Sequence, residues 1–164
     1  MSLKHVGRGA VAFGLVGLWA LGAAWAEPVV DHTPWDTLLR RDVKDGRVDY
    51  PGVQQQREVL DGYLAQLKLA DPTSLPSKEA QLAFWINAYN ACVFKGVLDH
   101  APLRSVKDVK GFFEKIPYAI GGESLTLNEL EAKGRALGDW RIHFAVVCAS
   151  SSCPILRAEA YVPE

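Results

Sequence analysis

The chain has 164 residues, of which 49% are apolar, and its formal net charge is −1. This length is enough for one compact domain and too short for two. Because the chain has no basic surplus to neutralise phosphates, its composition argues against a nucleic-acid-binding protein.

The first 26 residues have the pattern of a secretory signal peptide. Lys4 and Arg8 precede an uncharged stretch at residues 9–26, which closes on the small-x-small cleavage signal Ala24-Trp25-Ala26. An uncleaved membrane anchor is the alternative, because 18 uncharged residues lie near the lower limit for a span. Four glycines in this stretch weaken it as a permanent helix and favour cleavage.

Cleavage after Ala26 defines the mature domain as residues 27–164. This domain has 138 residues and a net charge of −3, because cleavage removes Lys4 and Arg8 but no acidic residue. No later segment is apolar for long enough to span a bilayer, so we expect no membrane contact after cleavage. The sequence therefore predicts a periplasmic or secreted protein, in a compartment where disulfides persist.

The first elements of the mature domain are predicted to be a short helix, a short strand and a longer helix. Thr33 followed by Pro34 is typical of a helix start, as an N-cap and a proline in the first turn. Residues 47–50 alternate like a short strand. Residues 54–69 place apolar side chains at helical spacing, which predicts an amphipathic helix.

A helix predicted at about residues 78–100, with Ser77 as its cap, is apolar nearly all round. Such a helix is usually central and buried. Asn87 and Asn90 lie on it, and an unpaired buried amide costs about 1–3 kcal/mol. Both amides must therefore bond to a backbone segment, to water or to a ligand, which makes them candidate ligand-binding residues.

The C-terminal part of the chain has the pattern of a hairpin, a helix and a strand. Residues 117–125 predict a β-hairpin that turns at two glycines, and Thr126 with Glu129 forms a capping box. Residues 141–148 have the β-branched and aromatic content of a buried strand. The element order predicts an α+β domain, with several helices around a short, mainly antiparallel sheet and the helix at 78–100 buried in its centre.

Cys148 and Cys153 allow several interpretations. They could close a small disulfide loop, or one of them could be a nucleophile activated by a nearby base. Metal binding is the weakest interpretation, since only His143 lies close in sequence and a tetrahedral site needs four ligands, so we expect no metal and no cofactor. Cys92 has the setting of a small core residue.

His143 is the candidate base for such a nucleophile. On an ideal strand it faces away from Cys148, so Cys153, on the following loop, is its better partner. The alternative is a buried histidine bonded to backbone or to an asparagine. Ser151 and Ser152 are candidate ligand-binding residues, as a nest of backbone N–H groups for an anion, although a solvated turn or a hydroxyl nucleophile would fit as well.

Two blocks of sequence resemble the family known as domain of unknown function 547. They read Phe84-Trp85-Ile86-Asn87-Ala88-Tyr89-Asn90-Ala91 and, later, Arg141-Ile142-His143-Phe144-Ala145 with Cys148-Ala149-Ser150-Ser151-Ser152-Cys153-Pro154. The resemblance extends from about Trp35 to the end of the chain and implies one domain. For a bacterial member it implies a secreted or envelope location. The family has no settled activity that the resemblance could transfer to this chain. Similar proteins usually continue past this block, which implies a domain incomplete at its C-terminus.

Two functions are compatible with these residues. The first is a non-catalytic envelope module that binds a small ligand or an envelope protein through a polar seam of asparagine, histidine and cysteine side chains. The second is a thiol hydrolase or transferase, with Cys153 or Cys148 as nucleophile, His143 as base and an asparagine orienting the imidazole. A disulfide between the cysteines would remove both candidate nucleophiles.

Overall fold

A computed structural model describes residues 30–150 and 153–163 of the chain. The predicted signal peptide, Ser151 and Ser152 lie outside the described residues. The α-helices are α1 (Thr33–Asp42), α2 (Tyr50–Gln55), α3 (Arg57–Leu69), α4 (Lys78–Asp99) and α5 (Leu127–Ala136). The strands are β1 (Val43–Lys44), β2 (Arg47–Val48), β3 (Tyr118–Ile120) and β4 (Glu123–Leu125). Within these described ranges, 3₁₀ helices span Pro72–Ser74, Val106–Asp108 and Trp140–Phe144. These elements confirm the predicted α+β class.

Helix α4 is the centre of the domain, as its apolar sequence predicts. Ser77 caps it by accepting a hydrogen bond from the Ala80 backbone N–H at 3.1 Å. Of its 22 residues, 17 are buried, and α3 and α5 pack against it. In the described part of the chain, neither α4 nor any other helix has the length and the apolar content that a bilayer crossing requires.

Aromatic packing joins α1, α3 and α4 on one side of the core. The Trp35 ring stacks on Tyr63 with an interplanar angle of 5°, and Trp35 and Phe94 meet edge-to-face at a centroid distance of 5.0 Å. Trp35 and Tyr63 are each 1% exposed. Offset-stacked and edge-to-face pairs of this kind add to the stabilisation from buried area alone, so this cluster anchors α1 to the core.

The predicted glycine-turn hairpin is confirmed at β3–β4. Tyr118 pairs with Leu125 and Ile120 with Glu123, and both turn glycines, Gly121 and Gly122, have positive φ. Their backbone N–H groups donate to the last carbonyl groups of α3, at 2.9 and 3.0 Å. The turn therefore satisfies acceptors at the end of α3 that the helix itself leaves unpaired. The capping box of Thr126 and Glu129 is also confirmed, at the start of α5.

The predicted strand at residues 141–148 is wrong. Residues Trp140–Phe144 form a 3₁₀ helix, and residues 145–150 after it have no regular secondary structure. Asp139 starts the turn by accepting from the Arg141 backbone N–H at 2.9 Å. Ile142 and Ala145 are the buried positions, three residues apart as on a helical turn rather than two apart as on a strand.

Other predicted boundaries shift near the N-terminus. The strand at residues 47–50 is shorter than predicted, because Tyr50 already begins α2. The single helix predicted at 54–69 is two helices, with a break at Gln56. Helix α1 begins at Thr33 itself, so Thr33 is not the N-cap; the Asp31 carboxylate accepts from its backbone N–H at 2.9 Å.

Candidate functional site

An open cleft of about 390 Å³ lies between α4, the β1–β2 hairpin and the C-terminal segment. We call it the α4 cleft. Helix α4 provides its floor, the hairpin and the start of α2 one wall, and the segment after Val147 the other. Its apolar lining includes Val48, Val93, Phe94, Val147, Pro154 and Leu156, and its polar lining Asp45, Arg47, Tyr50, Asn90, Ser150 and Cys153.

Asn90 links the floor of the cleft to its C-terminal wall. Its side-chain amide donates to the Ala145 carbonyl at 3.0 Å, and its oxygen accepts from the Val147 backbone N–H at 3.0 Å. These are the bonds that a neighbouring strand would otherwise make, so one side chain of α4 takes the place of a strand partner. Asn90 is only 2% exposed, so it offers the cleft little surface of its own. Its main contribution to the cleft is to hold the C-terminal wall in place.

Asn87 lies one turn earlier on α4 and holds a different part of the chain. Its amide donates to the Tyr161 carbonyl at 2.8 Å, and its oxygen accepts from the Tyr161 backbone N–H at 2.9 Å. Asn87 is fully buried and does not line the α4 cleft. Of the three partners considered for the two buried amides, backbone is therefore the one that both use.

Cys148 and Cys153 are joined by a disulfide, and their Cα atoms are 6.1 Å apart. The Cys148 backbone N–H points at Cys153 Sγ, with the nitrogen 3.0 Å from the sulfur. Cys153 is half-buried and lines the α4 cleft. The Ser150 hydroxyl oxygen lies 3.6 Å from Cys148 Sγ and 4.0 Å from Cys153 Sγ. The disulfide therefore forms part of the cleft wall.

His143 lies apart from this arrangement. It is on the exposed side of the 3₁₀ helix Trp140–Phe144, next to Phe144, which is 66% exposed. It does not line the α4 cleft. The alternative of a buried core histidine is therefore wrong, because only Ile142 and Ala145 of this turn face the core.

The rim of the cleft carries charge. Asp45 is exposed on the turn of the β1–β2 hairpin and Arg47 is exposed at the start of β2. Arg47 has no ion-pair partner within the described residues. Tyr50 packs on Phe94 with a centroid distance of 5.6 Å. Burial raises the pKa of Tyr50 to about 12, so its phenol stays neutral and can donate or accept a hydrogen bond at neutral pH.

The structure thus brings together three of the predicted site residues, Asn90, Cys148 and Cys153, and separates Asn87 and His143 from them. Ser151 and Ser152 lie outside the described residues. Sequence reasoning missed Arg47 on β2 and Tyr50 at the start of α2, because no local pattern relates residues 45–50 to the cysteines about a hundred positions later. Among the described residues, no three histidine, cysteine, aspartate or glutamate side chains are grouped so as to hold a metal ion.

Comparisons with known proteins identify a family, but that family has no assigned activity. The sequence matches no curated protein and no solved structure. The family described as "Protein of unknown function, DUF547" matches residues 72–164, which include α4 and the C-terminal wall of the cleft. The β1–β2 wall precedes the matched region. Because the match covers more than half of the chain, the protein belongs to the DUF547 family.

Proposed function

We propose that the α4 cleft binds a small amphipathic molecule that carries an anionic group. The observation that carries this proposal is the cleft itself. Its volume of about 390 Å³ falls within the range of small-molecule sites, about 300–1,000 Å³. It also combines an apolar floor with a few polar groups at the rim, which is the usual composition of such sites.

The lining residues indicate the chemistry of the ligand. Val93 and Phe94 offer an apolar surface on the floor, which favours an aromatic or branched aliphatic group. Arg47 stands at the rim without an ion-pair partner among the described residues, so it is available to a carboxylate, sulfonate or phosphate. The concave shape supports a small ligand over an envelope protein as the occupant.

The thiol hydrolase or transferase has less support. Its two candidate nucleophiles, Cys148 and Cys153, are bonded to each other. A general base has to lie within hydrogen-bond reach of its nucleophile, whereas His143 is exposed and outside the cleft wall that contains Cys153. The geometry therefore supports binding better than hydrolysis.

The location that we propose is the periplasm or the cell exterior. The charged start, the uncharged stretch and the Ala24-Trp25-Ala26 signal support export of the chain. The bonded Cys148–Cys153 pair supports an oxidising compartment. The binding function and this location are separate proposals, because a cleft of this kind can bind a small molecule in an oxidising or a reducing compartment.

The binding proposal is tested with 8-anilinonaphthalene-1-sulfonate, an aromatic anion whose fluorescence increases on transfer from water to an apolar site. The variant Val48→Trp places a large ring on the half-buried cleft side of β2, and we expect it to weaken affinity by about tenfold or more. Leu64→Trp is the matched control, because Leu64 is also half-buried but lies on α3, outside the cleft. Equal affinity of the two variants would contradict the proposal.

The role of Arg47 needs a charge-specific comparison. We expect Arg47→Ala to weaken binding of the sulfonate probe by about three- to tenfold, and to leave binding of the uncharged analogue N-phenyl-1-naphthylamine unchanged. Arg104→Ala, another exposed arginine outside the cleft, is the control. Equal losses for both probes would mean that Arg47 contributes packing and does not select an anion.

A further inference from the structure

The Cys148–Cys153 disulfide is accessible from the α4 cleft. Both cysteines are half-buried, and Cys153 is among the residues that line the cleft, whereas Cys148 is not. A thiol that enters the cleft therefore approaches the pair from the Cys153 side. The partial exposure of both cysteines distinguishes this bond from a disulfide enclosed in a core.

Among the described residues, a backbone N–H group and a hydroxyl lie close to the two sulfurs. The Cys148 backbone N–H already points at Cys153 Sγ at 3.0 Å. The Ser150 hydroxyl lies 3.6 Å from Cys148 Sγ and 4.0 Å from Cys153 Sγ. Hydrogen bonds to a sulfur favour its thiolate form, so the reduced Cys153 side chain would have a stabilised anion next to the cleft.

Contacts other than the disulfide hold both flanks of the loop. On the N-terminal side, Asn90 binds the backbone of Ala145 and Val147. On the C-terminal side, Leu156 is buried in the core. The cysteines are only five positions apart, and the stabilisation from loop closure is smallest for short loops. The fold therefore does not depend on this bond to place the segment.

From these three observations we infer that Cys148–Cys153 is a redox-active disulfide, which exchanges electrons with a dithiol that reaches Cys153 through the α4 cleft. The partner is a small-molecule or protein dithiol in its reduced form. This activity goes beyond ligand binding and does not rest on it, because the exchange needs an open path to Cys153 and no affinity for an amphipathic anion.

The exchange has two steps. A thiolate of the dithiol attacks Cys153 Sγ, the bond between the two cysteines breaks, and its electron pair goes to Cys148 Sγ, which takes up a proton from the solvent. The second thiolate of the dithiol then attacks the first sulfur of the dithiol, which is bonded to Cys153 in the mixed disulfide, and Cys153 leaves as a thiolate. The protein disulfide is reduced to two thiols and the dithiol is oxidised to a disulfide.

The first test measures the rate at which dithiothreitol reduces the mature wild-type chain, in its folded state and in urea. Reduction is stopped by adding excess N-ethylmaleimide under the same solution conditions, and the alkylated species are weighed by mass spectrometry. We expect the folded rate to lie within about tenfold of the unfolded rate, since Cys153 is already accessible. A folded rate more than about tenfold slower would overturn the inference, because it would mean that reduction requires unfolding.

Cys92 serves as an internal control for the same samples. It is fully buried, and burial raises the pKa of its thiol. It should therefore escape alkylation in the folded protein and react in urea. In the samples without urea, an unalkylated Cys92 therefore shows that the chain was still folded when the reagent trapped the reduced cysteines.

The second test compares the two sulfurs in the variants Cys148→Ser and Cys153→Ser. We expect the Cys153 thiol, in Cys148→Ser, to react with Ellman's reagent at neutral pH about tenfold faster than the Cys148 thiol in Cys153→Ser. The pH midpoint of the Cys153 reaction should lie below that of an ordinary thiol, about 8.5. Equal rates, or a faster Cys148, would overturn the assignment of Cys153 as the exchanging sulfur.

A third measurement separates redox from structural roles. Reduction of the wild-type disulfide should lower the thermal unfolding midpoint by only a few degrees and leave the far-UV circular dichroism unchanged, because Asn90 and Leu156 hold the flanks. Unfolding on reduction would overturn the inference. Binding of 8-anilinonaphthalene-1-sulfonate to the oxidised protein is independent of these results, so failure of either proposal can be recognised separately.

Discussion

Asn87 and Tyr161, 74 positions apart in the chain, exchange two hydrogen bonds in the manner of a strand pair. The Asn87 amide donates to the Tyr161 carbonyl at 2.8 Å and accepts from the Tyr161 backbone N–H at 2.9 Å. Asn90 repeats the arrangement one turn later, with Ala145 and Val147 as its partners. Two side chains of one helix thus hold C-terminal residues that form no strand in the part of the segment that the structure describes.

Asn87→Ala should lower the free energy of unfolding by about 2 kcal/mol, because it removes two hydrogen bonds and leaves partly buried backbone groups unpaired. Urea unfolding followed by circular dichroism measures this change. Gln81→Ala, a half-buried position on the same helix, is the control and should change stability by less than about 0.5 kcal/mol. Probe binding in the α4 cleft should stay the same, because Asn87 does not line it.

Asn90→Ala should behave differently from Asn87→Ala. We expect a similar loss of stability, about 2 kcal/mol, together with weaker binding of 8-anilinonaphthalene-1-sulfonate. The second effect arises because the bonds to Ala145 and Val147 position the C-terminal wall of the cleft. If Asn90→Ala loses stability but keeps full probe affinity, then Asn90 does not shape the site.

Gly52→Ala should destabilise the protein by about 1–3 kcal/mol. A Cβ atom at this position would lie 2.6 Å from Asp42 Oδ1 and 2.8 Å from Asp49 Oδ2, and Asp42 is only 4% exposed, so it has little room to move. Gly62→Ala is the matched control, because a Cβ atom there would have no neighbour within 4 Å and alanine favours the middle of α3. We expect this control to be stabilising by about 0.5–1 kcal/mol.

His32 should make stability depend on pH. Its ring Nδ1 lies 2.6 Å from the Tyr63 hydroxyl, and burial lowers the pKa of the ring below its usual value of 6.5. As the pH falls, the unfolded chain therefore takes up a proton at this histidine before the folded chain does. The stability that neutral His32 contributes is present above pH 6.5 and decreases as the pH falls below that value.

The test of His32 compares urea unfolding at about pH 7.5 and about pH 5.5. We expect His32→Gln to lose less stability over this interval than the wild type, although the variant also loses the contact with Tyr63 at both pH values. Parallel losses in the two proteins would assign the acid sensitivity to other groups.

The leader prediction has a direct test in the intact mass of the exported protein. Cleavage after Ala26 gives a chain that begins at Glu27 and lacks both leader cations, Lys4 and Arg8. Replacing Ala24 and Ala26 with bulky residues should block processing and leave the longer chain in the membrane fraction. A full-length protein that begins at Met1 in the soluble fraction would contradict both the leader and the location.

Local patterns in the sequence predicted most helices and one hairpin correctly. Ser77 caps α4, Thr126 and Glu129 cap α5, and Gly121-Gly122 turns β3–β4 as expected. These features depend on groups within four positions of one another, so their hydrogen bonds can be inferred from spacing alone. The buried position of α4 also follows from its composition, because a helix with apolar residues on all sides has no face suited to water.

The C-terminal segment shows where such patterns fail. Residues 141–148 have the composition of a strand, yet a strand also needs a neighbouring backbone, and here the Asn90 side chain supplies those hydrogen bonds from 55 and 57 positions away. The same distance in sequence hides the α4 cleft, whose walls come from residues 45–50, from α4 and from the cysteine loop. Capping, turns and the burial of an all-apolar helix are short-range properties that the sequence displays. The cleft, with Cys153 in its lining, forms only when the packing of α4 brings distant segments together.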